Sequence, residues 1–283
     1  MSFEIIDFHT HPFAKRENNI CAHIDHCHMS AADTRRVMEG LGISRFCGSV
    51  ISLKGDKTWA EVQACNDEAL RLAEYYQGAY IPGFHVNPRY PKESCAEIGR
   101  MAALGVRLIG EVVPYIDGWA EPGKGAMYDS PELSEILDCA EEHRMIFSFD
   151  SDYEDEMDRM VAAHPNLVMV AAHPGEITNF NRHMERMKTS KNYYLDLSGT
   201  GLFRYGMLRH AIDLFGPERF LFGSDYPTCA PALYVGGVLL DSLLTDDEKR
   251  LVFAGNAKRR RFAASRAVCP GSFLPPPGLF VPA

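Results

Sequence analysis

The amino-acid sequence predicts an α/β fold of the (β/α)8 barrel class, followed by a proline-rich C-terminal tail. Eight short apolar runs alternate with amphipathic runs along most of the chain, an order typical of a parallel sheet that closes into a barrel. The length of 283 residues is close to the roughly 250 of such barrels. An open doubly wound sheet is the structural alternative. No Gly-x-Gly-x-x-Gly follows the first run, which disfavours its dinucleotide-binding form.

The predicted elements follow one another in a regular order. The strand-like runs cover residues 3–9, 45–52, 79–86, 106–112, 145–150, 167–173, 193–198 and 219–224. Two helical runs carry start signals, Ser30 as an N-cap and Pro131 in a first turn. The helical runs cover residues 31–41, 58–76, 92–104, 131–143, 154–163, 180–188, 204–215, 231–243 and 246–263.

The composition changes after about residue 264, where the chain reads CPGSFLPPPGLFVPA. Prolines remove backbone donors and cannot continue a helix. We therefore expect a barrel domain over residues 1–264 and an extended tail over residues 265–283. The tail either runs over the surface or reaches a neighbouring subunit of a homo-oligomer.

Charge and cysteine content narrow the class of protein. The net charge of −9 offers no electrostatic footprint for nucleic acid or an anionic membrane. The eight cysteines lack the dense spacing of a disulfide scaffold. The first predicted strand leaves no room for a signal peptide, and no apolar run approaches the ~20 residues of a membrane span. These features indicate a cytoplasmic protein with neither a nucleic-acid nor a membrane partner.

The stretch IDFHTHP, residues 6–12, places two histidines at the end of the first predicted strand. Side chains two residues apart share one face of a strand, so His9 and His11 are expected side by side, with Asp7 one layer below. Neutral imidazole is a common ligand of transition metals. The alternative interpretation is a histidine pair in a loop without a function.

Other imidazoles and carboxylates stand at further strand ends, where barrels of this class carry their active sites. Each has a simple structural explanation by itself, such as a hydrogen-bonded histidine or a turn cap. Together they place metal-binding groups on one rim and predict a zinc or manganese site. These residues are His85, Glu111, His173 and Asp225.

The motifs DFHTHP, AAHPG, FGSDYP and GNAKRRRF resemble the amidohydrolase superfamily, and most closely its amidohydrolase-2 branch, which includes aminocarboxymuconate-semialdehyde-decarboxylase-like proteins. The resemblance implies a distorted (β/α)8 barrel with a catalytic divalent metal. It implies that His9 and His11 are ligands, that Asp225 is a ligand and the proton shuttle, and that His173 polarises the substrate or assists proton transfer.

The fifth predicted strand departs from the pattern that this resemblance implies, because the expected histidine is missing from MIFSFDSDY. Either Phe149 or Asp150 takes its place, since a one-residue slip changes which side chain faces the barrel. The IGE of strand four resembles the metal-binding glutamate of TatD-type deoxyribonucleases. A site of His9, His11, Glu111, His173 and Asp225 would be complete without strand five. A metal-free barrel is the alternative.

The stretch CAHIDHCHMS, residues 21–30, holds six potential ligands in the loop after strand one. A substrate contact, a solvated loop and an auxiliary metal site are the three interpretations. A protonated histidine there could bind a substrate carboxylate, as could Lys15 or Arg16. The candidate substrate contacts are His23, His26, His28, His85 and Asp150.

The expected reaction is metal-dependent hydrolysis of a C–N or C–O bond at a carbonyl of a small molecule, most simply with Zn²⁺, and with Mn²⁺ or Fe²⁺ as alternatives. A decarboxylase on the same scaffold, a TatD-like nuclease and a non-catalytic barrel are the alternative functions. The sequence names no substrate.

Overall fold

The computed structural model describes residues 3–14, 30–120, 125–200 and 204–259. The candidate contacts His23, His26 and His28 and the predicted tail over 265–283 lie outside these residues, so the expectations for them, and the domain boundary after 264, stay predictions.

Eight parallel strands form one sheet in which each strand pairs with the next along the chain. The backbone N–H of Phe8 donates to the carbonyl of Phe222 over 2.8 Å, and Thr10 bridges Tyr226 in parallel. These bonds bring the last strand to the first, so the predicted (β/α)8 barrel is confirmed. The strands are β1 Ile5–Asp7, β2 Ile43–Gly48, β3 Tyr80–Phe84, β4 Leu108–Val112, β5 Ile146–Phe149, β6 Val168–Ala171, β7 Tyr193–Asp196 and β8 Phe220–Leu221.

The helices between the strands match the predicted order, with shifts of a few residues at their ends. The first begins at the capping box of Ser30 and Asp33, as expected. They are α1 Ala31–Gly40, α2 Trp59–Tyr75, α3 Pro91–Ala103, α4 Pro131–Glu142, α5 Glu154–Ala163, α6 Ile177–Thr189, α7 Met207–Phe215, α8 Pro231–Leu239, α9 Asp246–Arg250 and α10 Asn256–Arg259. A 3-10 turn covers Pro217–Arg219, and a π-helical turn over Leu251–Gly255 joins α9 to α10.

Two buried apolar clusters hold the barrel together. The larger one contains residues of the strands and of the surrounding helices. The smaller one draws a side chain from every strand, as the inside of a barrel requires, and includes two alanines of the C-terminal helical region. Its members are Ile6, Phe8, Cys47, Ile81, Leu108, Ile146, Val170, Tyr194, Leu221, Ala254 and Ala257.

Within the described residues, no helix combines the length and the apolar character that crossing a membrane demands. Several buried polar side chains lie at the carboxyl ends of the strands, among them those of His9, His11, Glu111 and Asp225.

Candidate metal centre

His9 and His11 converge as predicted, although β1 ends at Asp7, before either histidine. Their Nε2 atoms lie 3.0 Å apart. Backbone hydrogen bonds to the chain after β8 hold this segment, because Asp225 N–H donates to the His9 carbonyl and His11 N–H donates to Tyr226. The convergence therefore comes from closure of the barrel between its first and last strands, and not from strand alternation alone.

Each of the two rings is oriented by a hydrogen bond at its other nitrogen. His9 Nδ1 lies 2.9 Å from Asp196 Oδ2, and His11 Nδ1 lies 3.1 Å from the Ser49 carbonyl oxygen. Both partners are acceptors, so both Nδ1 atoms carry the proton. The two Nε2 atoms then turn lone pairs toward one point, which is the tautomer that a metal ligand needs.

Two buried carboxylates face the same point. Glu111 Oε2 lies 3.1 Å from His9 Nε2 and 3.3 Å from His11 Nε2. Asp225 Oδ1 lies 3.7 Å and 3.5 Å from the same two nitrogens. Donor separations near 3 Å suit ligands whose bonds to one zinc-sized ion are about 2.1 Å long. The imidazole and carboxylate donors therefore fit a divalent cation.

His173 joins the cluster from the end of β6. Its ring stacks on that of His9 with centroids 5.2 Å apart, and its Nε2 lies 3.5 Å from Glu111 Oε1. Ligand atoms of His9, His11 and Asp225 form one compact group, and those of His9, Glu111 and His173 form another. The His173 side chain is 20% exposed whereas that of His9 is 2% exposed, so His173 lies on the accessible side.

The end of β5 presents Asp150, and not Phe149, to the centre. The Phe149 ring is fully buried among aromatic rings, with centroids 5.6 Å from Tyr128 and 5.4 Å from Phe147. Asp150 Oδ1 lies 3.6 Å from His173 Nε2. An oxygen donor, beside the compact groups rather than within them, thus stands where the resemblance implies a nitrogen.

The pKa values of these groups reflect mutual attraction in a buried site. Burial lowers the pKa of His9, but the charges of Glu111 and Asp196 outweigh it and hold that pKa well above its ordinary value. Burial opposes ionisation of Glu111, yet His9 and His11 keep its pKa well below the usual range. Burial, reinforced by Glu111, raises the pKa of Asp150 to about 7. Burial also raises the pKa of Asp225.

Two of the site residues adopt the left-handed backbone conformation, His173 with φ of 65° and Asp225 with φ of 58°. This conformation is uncommon outside glycine and asparagine and costs roughly 1–3 kcal/mol. It persists where the surrounding structure holds it, and it concentrates at functional sites. Five other non-glycine residues of the described chain also adopt it, so the conformation does not by itself mark the site.

His85 lies in a separate buried cluster. Its Nε2 is 3.0 Å from the Val50 carbonyl oxygen, and its Nδ1 is 3.4 Å from Asp117 Oδ2. Lys57 Nζ completes this cluster at 3.0 Å from Asp117 Oδ1. The structure therefore does not bring His85 together with His9 and His11.

Comparison with known proteins places the chain. A family model described as amidohydrolase, of the amidohydrolase-2 branch, matches residues 6–260. The chain belongs to this family. The family is metal-dependent, and the donor cluster at the strand ends of this amidohydrolase holds candidate ligand groups. No curated protein sequence matches the chain.

Several solved structures share the fold. A 2,6-dihydroxybenzoate decarboxylase from Rhizobium is 15% identical, with 92% of this chain and 98% of that chain covered and a TM-score of 0.71. A 5-carboxyvanillate decarboxylase from Novosphingobium aromaticivorans, complexed with manganese and 4-hydroxy-3-methoxy-5-nitrobenzoic acid, is 13% identical over 92% and 96%, with a TM-score of 0.67.

A third neighbour is a putative 2-pyrone-4,6-dicarboxylic acid hydrolase from Pseudomonas putida, 15% identical over 93% of this chain and 99% of that one, with a TM-score of 0.66. At these sequence identities the structural similarity shows that the fold is shared. It does not assign a reaction to this amidohydrolase.

Three further polar residues organise this site. The sequence places Asp7 below the two histidines without giving it a role, and sequence reasoning missed Asp196 and Ser198. Asp7 accepts hydrogen bonds from the His9 and Ser224 backbone and from the Ser224 hydroxyl at 2.6–3.2 Å, and so joins the two motifs. Asp196 and Ser198, at the end of β7, contact His9. The sequence feature that could have revealed Asp196 and Ser198 is the polar D-x-S pattern at the end of the predicted strand 193–198.

Proposed function

We propose that this amidohydrolase is a metal-dependent hydrolase that cleaves a C–N or C–O bond at a carbonyl carbon of a small molecule. The observation that carries the proposal is the placement of Asp225. Its Oδ1 faces the Nε2 atoms of His9 and His11, and burial raises the pKa of its carboxyl, a shift in the direction that favours transfer of a proton to this group.

The ligands that we propose are His9, His11, Glu111 and Asp225, with His173 at the accessible edge of the set. Zn²⁺ is our first choice, and Mn²⁺ or Fe²⁺ suit the same mixed nitrogen and oxygen donors. When bound, the ion supplies Lewis acidity and lowers the pKa of a water to about 7.

Asp225 would take the proton from the attacking water and return it to the leaving group. Its Oδ2 also contacts the thiol of Cys229 over 3.8 Å, which keeps the carboxylate in one orientation. The backbone N–H of Cys229 donates to the Asp225 carbonyl, so the residue is held at both its main chain and its side chain.

His173 would stabilise the oxyanion that forms on the substrate. Burial lowers its pKa, but Glu111 outweighs that effect and the net shift is upward, so the ring can carry protons on both nitrogens. Nδ1 lies 3.0 Å from Ser198 Oγ. Nε2, which faces Glu111 and Asp150 at 3.5 and 3.6 Å, would donate toward the substrate. Asp150, next to His173, is the proposed substrate contact among the described residues.

The test begins with protein stripped by chelator and reloaded with zinc, manganese or iron, assayed on lactones, esters and amides. We expect Asp225→Asn to lower turnover by roughly 10²–10⁴-fold, the usual contribution of a general acid–base, while metal content by elemental analysis is largely kept because His9, His11 and Glu111 remain. Asp213→Asn makes the same chemical change on exposed α7 and should leave both quantities intact. Full turnover in Asp225→Asn would contradict the proposal.

Decarboxylation of a small aromatic carboxylic acid is the second candidate. The raised pKa of Asp225 also suits an acid that delivers a proton to carbon, and the titles of two structural neighbours name decarboxylases. Release of carbon dioxide from hydroxybenzoates, without any hydrolysis product from the ester and lactone panel, would favour this candidate over hydrolysis.

A further inference from the structure

The end of β7 lies directly behind two histidines of the centre. Asp196, Ser198 and Gly199 contact His9 and His173 at Nδ1, the nitrogen that faces away from the proposed metal. We propose that this segment is the positioning device of the centre, in which Asp196 sets the tautomer of His9 and the Ser198 hydroxyl sets the tautomer of His173. The proposal rests on the metal-site roles proposed above for His9 and His173.

The hydroxyl of Ser198 has a partner for each of its hydrogen-bonding positions. Its Oγ donates to Asp196 Oδ1 and lies 2.9 Å from His9 Nδ1 and 3.0 Å from His173 Nδ1. A hydroxyl has one proton and two lone pairs. Because the hydroxyl proton goes to the carboxylate, Ser198 Oγ can only accept from an imidazole. His173 Nδ1 therefore donates to it, His9 Nδ1 donates to Asp196, and each Nε2 is directed into the site.

Asp196 provides the charge that fixes the direction of this network. The residue is fully buried and accepts from His9 Nδ1 and from the Ser198 backbone N–H, each over 2.9 Å, besides the Ser198 hydroxyl. A buried carboxylate with only donors around it keeps the Ser198 proton on its own side. His9 therefore has a direct carboxylate partner, whereas His173 reaches that carboxylate only through Ser198.

Gly199 holds the other face of His173 by shape. A Cβ at this position would lie 2.1 Å from His173 Nδ1, and its φ of 59° is in the left-handed region. Its carbonyl accepts a hydrogen bond from the Tyr234 hydroxyl of α8 over 2.5 Å. The backbone of Gly199 can approach the imidazole only because glycine has no side chain. The His173 ring therefore packs against a backbone segment that the Tyr234 hydroxyl of α8 holds in place.

This arrangement separates the effects of two substitutions. Ser198→Ala removes the acceptor of His173 Nδ1 but leaves His9 its bond to Asp196. It should lower kcat with a small effect on metal affinity. Asp196→Asn replaces the acceptor of His9 and should weaken metal binding by roughly 10- to 100-fold, as expected for a group that orients a ligand.

The decisive readout is independent of any substrate. We would record ¹⁵N NMR spectra of histidine-labelled protein, loaded with zinc and also metal-free at a pH above the raised pKa values of both rings. His9 and His173 should carry their proton on Nδ1 in the wild type. In Ser198→Ala, His173 should populate the Nε2–H form while His9 does not. Metal affinity is measured on the same samples by calorimetry.

Ser44→Ala is the matched control, since Ser44 Oγ donates to the Ile5 carbonyl on the barrel wall away from the centre. It should change neither tautomer nor affinity. If Ser198→Ala does not fold, the wild-type spectra still decide, because Nε2–H on either histidine of the metal-free protein, at an alkaline pH where both rings are neutral, overturns the proposal. So does wild-type behaviour of His173 in a folded Ser198→Ala. Failure to hydrolyse any substrate, with the expected tautomers, would count against the proposed function alone.

Discussion

Two buried charged clusters lie at the carboxyl end of this barrel, and they differ in the source of their positive charge. In one, Lys57, His85 and Asp117 pair with one another, and the lysine ammonium lies 3.0 Å from the carboxylate. In the other, the ion-pair partners of Glu111 and Asp225 among the described residues are all imidazoles. Across residues 3–14, 30–120, 125–200 and 204–259, no lysine or arginine forms an ion pair with Glu111, Asp150 or Asp225.

The comparison shows that a histidine at a strand end is not by itself a sign of a metal ligand. Buried carboxylates need a compensating charge. In the cluster with Lys57, the lysine ammonium supplies the compensating charge. It also donates to the Ile116 carbonyl and so holds the loop after β4 in place. The cluster with His9 must take the compensating charge from protons on its imidazoles or from a cation, which is why it suits a metal and the other does not.

The largest expected effect is on metal binding. His9→Ala combined with His11→Ala should weaken metal affinity by more than roughly 100-fold, since even an outer partner is worth roughly 10- to 100-fold. Elemental analysis should find about one equivalent in the wild type and none in the double variant. Metal retained in that variant would place the ion elsewhere and break the comparison.

Lys57→Met tests the other cluster. It leaves Asp117 buried without its ammonium partner, so we expect the free energy of unfolding to fall by about 3–5 kcal/mol with metal content unchanged. Urea titration measures the loss. Lys54→Met in the same loop breaks an exposed pair with Glu61 and should cost far less stability, because water screens exposed pairs. Equal losses in the two variants would mean that burial does not distinguish the pairs.

A buried histidine outside both clusters sharpens the comparison, because His183 contacts the Tyr193 hydroxyl instead of a carboxylate. Burial, with the nearby Arg186, lowers its pKa from 6.5 to about 3. Between about pH 6.5 and 3, His183 is therefore protonated in the unfolded chain and neutral in the folded chain. Its contribution makes the free energy of unfolding fall as the pH drops through this range.

The expected slope for His183 is at most about 1.4 kcal/mol per pH unit. Unfolding free energies measured at several pH values should show this slope as a difference between the wild type and His183→Gln, which cannot titrate. Parallel curves for the two proteins would indicate that His183 is protonated in both states.

Much of this architecture could be predicted from the sequence because it depends on local pattern. Eight apolar runs in alternation with helical runs specify a parallel barrel, and parallel strands bring their carboxyl ends to one rim. This pattern therefore predicts, without any distances, that five strand-end residues lie near one another: His9, His11, Glu111, His173 and Asp225. The loop residues His23, His26 and His28 lie outside the described residues, and their role stays a prediction.

What local pattern could not decide was orientation. Either Phe149 or Asp150 could have faced the centre, and packing settled the choice because the Phe149 ring is buried against Tyr128 and Phe147. The strand ends also leave open which histidines share a site. In the structure His85 pairs with Asp117, which also binds Lys57, and it lies apart from His9 and His11.

The amino-acid sequence by itself determined the order of the strands and the kinds of donor at their ends, since periodicity and residue type are local properties. Only the tertiary structure decided which donors meet and which tautomer each imidazole takes. Those choices depend on partners distant in the chain, such as Asp196 and Ser198 for His9, and no local pattern records which side chains closure of the barrel will bring into contact.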